Sequence, residues 1–247
     1  MRAWLVVGLS LIGADALAGD DVQKVTWDLL IDGHKVGTRT ATVTTERKGD
    51  ESTRVIESYT QVNATVGPIS LAWRQRLTSV SDRVPASFQS KLDENGDPRN
   101  VSVRWQSEGW SVSLGDRRGN RTQVVAPYQI DLSTADLIDP GSRWRLDRYT
   151  HVKVLSAETG DIWEGPVEAL GSGTVEIGVN PVAVEGWAWT SPEGRSVFWY
   201  SDDGWLVHYE MRVLGHTVEG VLTQAPPAGP DAFAVSTGNP KVEVLDL

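Results

Sequence analysis

Tryptophan is the residue type in this chain best suited to recognising a ligand. Of 247 residues 11 are Trp, against 3 Phe and 5 Tyr. An indole joins a broad apolar face to one N–H that wants an acceptor, so it suits a surface half apolar and half wet. Trp73, Trp105 and Trp205 fall on the apolar side of alternating runs, and Trp110 opens another such run with Val112 and Leu114. Trp187 and Trp189 share a face, and Tyr209 continues the face of Trp205. These seven are the candidate ligand-binding residues. Three uses are open for them: filling the core, lining a cavity for a lipid or other apolar molecule, and stacking on sugar rings.

Catalytic constellations are harder to find. There is no Gly-x-Ser-x-Gly elbow and no Ser-x-x-Lys pair, and Gly171-Ser172-Gly173 reads as a turn. Among His34, His151, His208 and His216 no two stand at the two- or four-residue spacing of a metal site, so solvated histidines are expected. Asp93-Glu94-Asn95-Gly96-Asp97 offers oxygens at positions one, three and five of a calcium loop. Pro98 then occupies the place of the required glycine, and Arg104 that of the bidentate glutamate, so a hairpin turn is the better reading. A glycosidase carboxylate pair would come from two different strands, and 33 acidic residues make any such pair uninformative. Phosphate loops and dinucleotide fingerprints are absent. No catalytic residue, metal or cofactor is expected, and the chain reads as a binding protein and not an enzyme.

The 23 Lys and Arg against 33 Asp and Glu leave a net charge of −10, which argues against nucleic acid as a partner. With no cysteine there are no disulfides, thiolate metal sites or lipid-modified cysteine anchors. Arg2, an apolar run from Ala3 to Ala14, and Ala16-Leu17-Ala18 before Gly19 make up a secretory signal cut after Ala18. That run, roughly 12 residues, is too short to span a bilayer. The expected organisation is a signal peptide over 1–18, one antiparallel β domain over 19–223 and a Pro/Gly-rich tail over 224–247. The expected location is the periplasm, or failing that the extracellular space, without a membrane-spanning segment.

The elements that must position the aromatics are strands. From Val22 to about Thr223, alternating runs are broken by turns, with Asp32-Gly33, Asn95-Gly96 and Asp203-Gly204 the strongest markers. Ile69, Leu71, Trp73 and Leu77 oppose Ser70, Arg74, Arg76 and Thr78, and Val101, Val103 and Trp105 oppose Ser102 and Arg104. The pattern predicts roughly ten to twelve half-buried antiparallel strands. One short helix is expected near 133–139, capped by Ser133 with Asp136 three residues on and stopped by Pro140-Gly141. It divides the strands into two sets. A single curved sheet with a helical insertion is preferred over two small sheets.

The run from Phe198 to Val207, with Asp202-Asp203-Gly204 at its turn and a Gly215 turn beyond, resembles the closing hairpins of bacterial periplasmic proteins with a lipoprotein-carrier-like half-barrel. The run from Trp27 to Gly37 is similar to the first hairpin of uncharacterised exported proteins of that kind. The resemblance covers Val25 to Leu222. It implies an all-β, mainly antiparallel, curved meander forming an incomplete barrel, a helix near its mouth and an apolar concavity able to hold acyl chains. It carries over no catalytic residue.

The resulting expectation is an exported binding protein that holds an apolar or amphipathic envelope molecule, a lipid or lipoprotein acyl chain, in a Trp-lined concavity. A structural or protein-interaction module of the envelope is the alternative. A carbohydrate-binding or carbohydrate-active protein is the lesser one.

Overall fold

An alternating strand can bury one face, and a chain of such strands joined edge to edge can curl until those faces line a common interior. The computed structural model describes residues 21–48, 51–66, 69–81, 86–140, 146–178, 180–213, 215–224 and 242–243. The signal expected at 1–18 and most of the tail expected at 224–247 lie outside the described residues.

Eight strands run as one meander: β1 (Asp21–Ile31), β2 (His34–Lys48), β3 (Glu51–Val66), β4 (Ile69–Ser81), β5 (Ser87–Glu94), β6 (Asp97–Gln106), β7 (Gly109–Asp116) and β8 (Gly119–Val125). After β9 (Leu132–Ser133) and a crossover, β10 (His151–Leu155) begins a second. It continues through β11 (Ile162–Ile177), β12 (Asn180–Ser191), β13 (Gly194–Ser201), β14 (Leu206–Val213) and β15 (His216–Gln224). The two meanders fuse because β1 pairs antiparallel with β15, giving the order β8-β7-β6-β5-β4-β3-β2-β1-β15-β14-β13-β12-β11-β10-β9. All pairings are antiparallel except β9 with β10, and β16 (Val242–Glu243) adds a short pairing to β11.

The result is one large open, mainly antiparallel sheet, as the alternation predicts, and it matches the incomplete barrel that the resemblance implies. Among the described residues it has 16 strands, more than the roughly ten to twelve anticipated. Two of the extra strands are only two residues long, and β8 is exposed on both faces up to its last residue, so no alternation announces it. No described helix is long and apolar enough to cross a membrane.

Local chemistry sets the hairpins. Asp32 and Gly33, and likewise Asn95 and Gly96, both take positive φ, as a two-residue turn matched to strand twist requires. The calcium-like run is indeed such a turn. Asp93 Oδ1 accepts the Gly96 N–H at 2.8 Å, and Asn95 Oδ1 accepts the Ala72 N–H at 2.7 Å.

Directly opposed residues share a face, so the interior can be read row by row. Val43, Ile56, Ser79, Phe88, Val103 and Val112 form one row across six strands, all buried. Ile130, Ala135, Ile138, Leu155 and Ala157 join the same core cluster, so the segments around β9 and after β10 plug the first meander from inside. The predicted helix near 133–139 is a 3-10 turn, Thr134–Ile138, within this plug.

Asp136 pins the plug. Its Oδ2 accepts the Ser133 N–H and hydroxyl, each at 2.8 Å, and its Oδ1 accepts the Ala86 N–H at 2.9 Å from the entrance to β5. Burial pushes its carboxyl up to about 6, with hydrogen bonds from Ala86 and Ser133 opposing the rise. Beside it Arg54 Nε lies 2.7 Å from Asp139 Oδ1, which ties β3 to the same plug.

Asp136→Ala strips acceptors from buried donors and should cost about 2–4 kcal/mol in urea unfolding. Because the folded carboxyl titrates near 6 and the ordinary value is 3.8, the folded state holds its proton more tightly. Stability from Asp136 is therefore full below its ordinary value and falls as pH rises through about 6. The gap between wild type and variant should be wider at pH 4 than at pH 8. An equal gap would refute the raised carboxyl.

Candidate functional site

The two meanders bring unlike surfaces together at the β1–β15 seam. On one side, Trp27 is opposed by Arg39, Arg39 by Thr60, Thr60 by Gln75 and Gln75 by Leu92. On the other, Leu29 is opposed by Gly220, Gly220 by Tyr209, Tyr209 by Phe198 and Phe198 by Trp187. Trp27 and Leu29 stand two residues apart on β1, so both rows lie on one face. That face is polar from β2 to β4 and aromatic from β14 to β12.

The polar half is a connected network. Gln75 Nε2 donates to Ser90 Oγ at 3.0 Å and to Glu158 Oε1 at 3.2 Å. Glu158 Oε2 accepts the hydroxyls of Thr134 at 2.8 Å and Ser156 at 3.1 Å. Glu158 thus reaches the network from the turn after β10. Arg39 is only 9% exposed, and its Nε has no hydrogen-bond partner. Trp27 beside it is satisfied, its Nε1 donating to the Leu206 carbonyl at 2.8 Å.

In the aromatic half Trp189, Phe198 and Tyr200 form a buried floor, and half-buried Tyr149, Trp163, Trp187 and Tyr209 pack around it. Trp187 meets Tyr200 edge-on with centroids 6.0 Å apart, and Trp163 lies 6.4 Å from Trp189. Gly220 lets Tyr209 lie down on the sheet, since a Cβ there would fall 2.0 Å from the Tyr209 ring. Burial raises the Tyr209 hydroxyl above its ordinary value, while Arg39 draws it down and Glu158 pushes it up. Both charges of the polar half therefore act on this one phenol.

Of the seven residues singled out from sequence, Trp187, Trp189 and Tyr209 gather in this aromatic half. Trp110 and Trp205 are buried in the larger core, and Trp105, 37% exposed, meets Trp110 edge-on at 5.0 Å. Trp73 is half-buried on β4, in phase with Gln75. Sequence reasoning missed Arg39, Gln75 and Glu158. Arg39 is in phase with Ala41 and Val43, and Gln75 with Trp73 and Leu77, so their inward aim was there to be read. Glu158 sits on a turn and carries no such signal.

His208 departs from the solvated expectation. It is only 4% exposed, with Nε2 3.3 Å from Glu219 Oε2, and burial lowers its ring below the ordinary value. Its cross-strand neighbours Trp199 and Val221 are buried too, so β14 is covered on both faces here. On the outer face of β3–β6 an open groove of about 560 Å³ is lined by Tyr59, Arg74, Arg76, Lys91 and Asn100 among others. Arg76 lies 5.9 Å above the Tyr59 ring.

A family described as a domain of unknown function, DUF6134, matches residues 27–223. The chain belongs to the DUF6134 family. The matched span runs from Trp27 on β1 to Thr223 on β15, so the DUF6134 domain includes both strands of the seam and everything between them. Among solved structures it is similar to a beta-barrel-like protein of the domain of unknown function DUF1849 from Brucella abortus. The TM-score is 0.55 at 12% identity, over 83% of this chain and 96% of that one. At that identity the likeness concerns the fold. No curated protein matches the chain.

Gly220→Val should displace the Tyr209 ring and destabilise the DUF6134 domain by about 1–3 kcal/mol. Thermal unfolding and near-ultraviolet circular dichroism would record it, and an unchanged aromatic signal would show that the ring does not rest there.

Proposed function

We propose that this DUF6134 domain is an exported binding protein, periplasmic or extracellular, that holds an apolar or amphipathic envelope molecule on the aromatic half of its concave face. The reading involves no catalytic step. The observation that carries it is the ring of half-buried Tyr149, Trp163, Trp187 and Tyr209 around a fully buried aromatic floor. Such a surface is apolar enough to gain from losing water, yet its indole and phenol tips stay within reach of polar groups. The sequence resemblance to lipoprotein-carrier-like half-barrels supports the same reading, since an open curved sheet leaves one side for an acyl chain to enter. Covering about 100 Å² of aromatic surface is worth roughly 2.5 kcal/mol, enough for one exposed indole to matter to affinity.

Dodecanol titrated into the full chain should change intrinsic Trp fluorescence saturably. Trp187→Ala should weaken that binding about tenfold, whereas Trp105→Ala, outside the aromatic half, should leave it unchanged. Native mass spectrometry of protein recovered from its own cells should show an added mass of lipid size. No fluorescence response together with no added mass would reject the reading.

A second reading rests on the free end of the sheet. β8 is the outermost strand of the first meander; its own Val124 is 65% exposed, and Tyr128 just after it 75%. An envelope protein could add a strand to this edge. A partner that co-purifies in stoichiometric amount and is lost on Val124→Lys would support that reading, and its retention would count against it.

A further inference from the structure

Arg39 is a buried charged group on the concave face whose Nε the described residues leave without a hydrogen-bond partner. Its five donors form a rigid planar fork that stays charged at any physiological pH. The residue is only 9% exposed. Nε has no hydrogen-bond partner, and among the described residues no ion pair involves the guanidinium. The carboxylate on the same network, Glu158, is committed elsewhere, held by Gln75, Thr134 and Ser156. Trp27 and Thr60 oppose Arg39 directly, and the Trp27 N–H is already spent on Leu206. A buried cation without a partner is costly, and cores tolerate one where something supplies the missing acceptors.

The position of Arg39 says more than its burial. It stands where the two halves of the concave face meet, with Thr60 and Gln75 leading away on the polar side. Leu29, Tyr209, Phe198 and Trp187 lead away on the aromatic side. Resting on the function proposed above, we infer that Arg39 receives the head of an amphipathic anion, a carboxylate or phosphate joined to an apolar chain. The guanidinium fork takes two oxygens of the head, and the chain lies along the aromatic row. The head does not come to Glu158, whose charge would repel it, and the hydrogen bonds on Glu158 hold that carboxylate away. A free anion such as inorganic phosphate would satisfy the fork but leave the aromatic row uncovered, so the ligand assigned is the amphiphile.

The test compares dodecanoate with dodecanol on the full chain, each kept below its aggregation limit and followed by intrinsic fluorescence and calorimetry. In wild type dodecanoate should bind at least tenfold more tightly, as expected of a charge-assisted bidentate pair. Arg39→Met should abolish that preference while keeping dodecanol binding, and Arg39→Lys should retain only part of it. The melting temperature of Arg39→Met should be equal to or above that of wild type, because the variant removes an unpartnered buried charge. Acetate and inorganic phosphate should fail to displace dodecanoate at concentrations that saturate it.

Equal affinities of wild type for dodecanoate and dodecanol would overturn this inference and leave the apolar binding reading standing. Binding of neither would remove the binding reading itself. A lower melting temperature for Arg39→Met with the preference for dodecanoate intact would make Arg39 a structural residue. Displacement by inorganic phosphate would make the site one for small free anions. Either result would overturn the assignment.

Discussion

The antiparallel pairing of β1 with β15 is the interaction on which the rest of this protein depends. Each meander is built from neighbours in sequence, so its hairpins form from local turns and alternation. The seam joins the first described strand to the last long one, and a loop of that length is closed only against a substantial entropic cost. It is fastened along its whole length. Trp27 reaches the carbonyl of Leu206 from the interior side. At the far end Asp32 receives the Thr217 N–H at 3.0 Å and pairs with His216 at 2.7 Å, a contact that holds the Asp32 carboxyl below its ordinary value. Without the seam the polar and aromatic surfaces would belong to two separate sheets.

The interior that the seam creates is divided in use. Toward β5–β7 it is closed by the plug that Asp136 fastens, with Val43, Ile56, Phe88, Val103 and Val112 as its apolar contact surface. Here Asp136 holds Ser133 and Ala86, and Asp139 holds Arg54, which fixes a short 3-10 turn against strands far from it in sequence. Toward β1 and β14 the polar groups are incompletely paired and the aromatic groups incompletely covered. Unfilled hydrogen-bonding capacity and half-exposed rings on one face set this part of the interior apart from the plugged part, and it is here that the proposed ligand would rest.

Much of the fold was legible from local patterns. Alternation in β4, β6 and β14 announced strands with one buried face, and Asp32-Gly33 and Asn95-Gly96 announced hairpins through the positive φ that their turns require. Ser133 and Asp136 announced a short helical turn through their capping spacing, and the turn is there, although as a 3-10 segment. The candidate site was less legible. Residue type and strand face point to the aromatics, but neither separates half-buried Trp187 from Trp110, sealed in the core. Arg39 and Gln75 interrupt an apolar phase with a polar side chain, and alternation does not tell whether such an interruption is buried. His208 read as solvated for a related reason, since alternation reports the character of a strand's own faces and not what another element lays over them.

The sequence by itself determined that the chain is β throughout, where its tight turns fall and which residues of each strand share a face. Those properties follow from period-two geometry and backbone sterics within a few residues. Only the tertiary structure decided that Arg39 shares its concave face with Tyr209 and Trp187, and that β14 is buried on both sides. Such proximities are set by strand register across the seam and by the curl of the whole sheet. No spacing along the chain encodes them, because the residues involved meet only when the two ends of the domain pair.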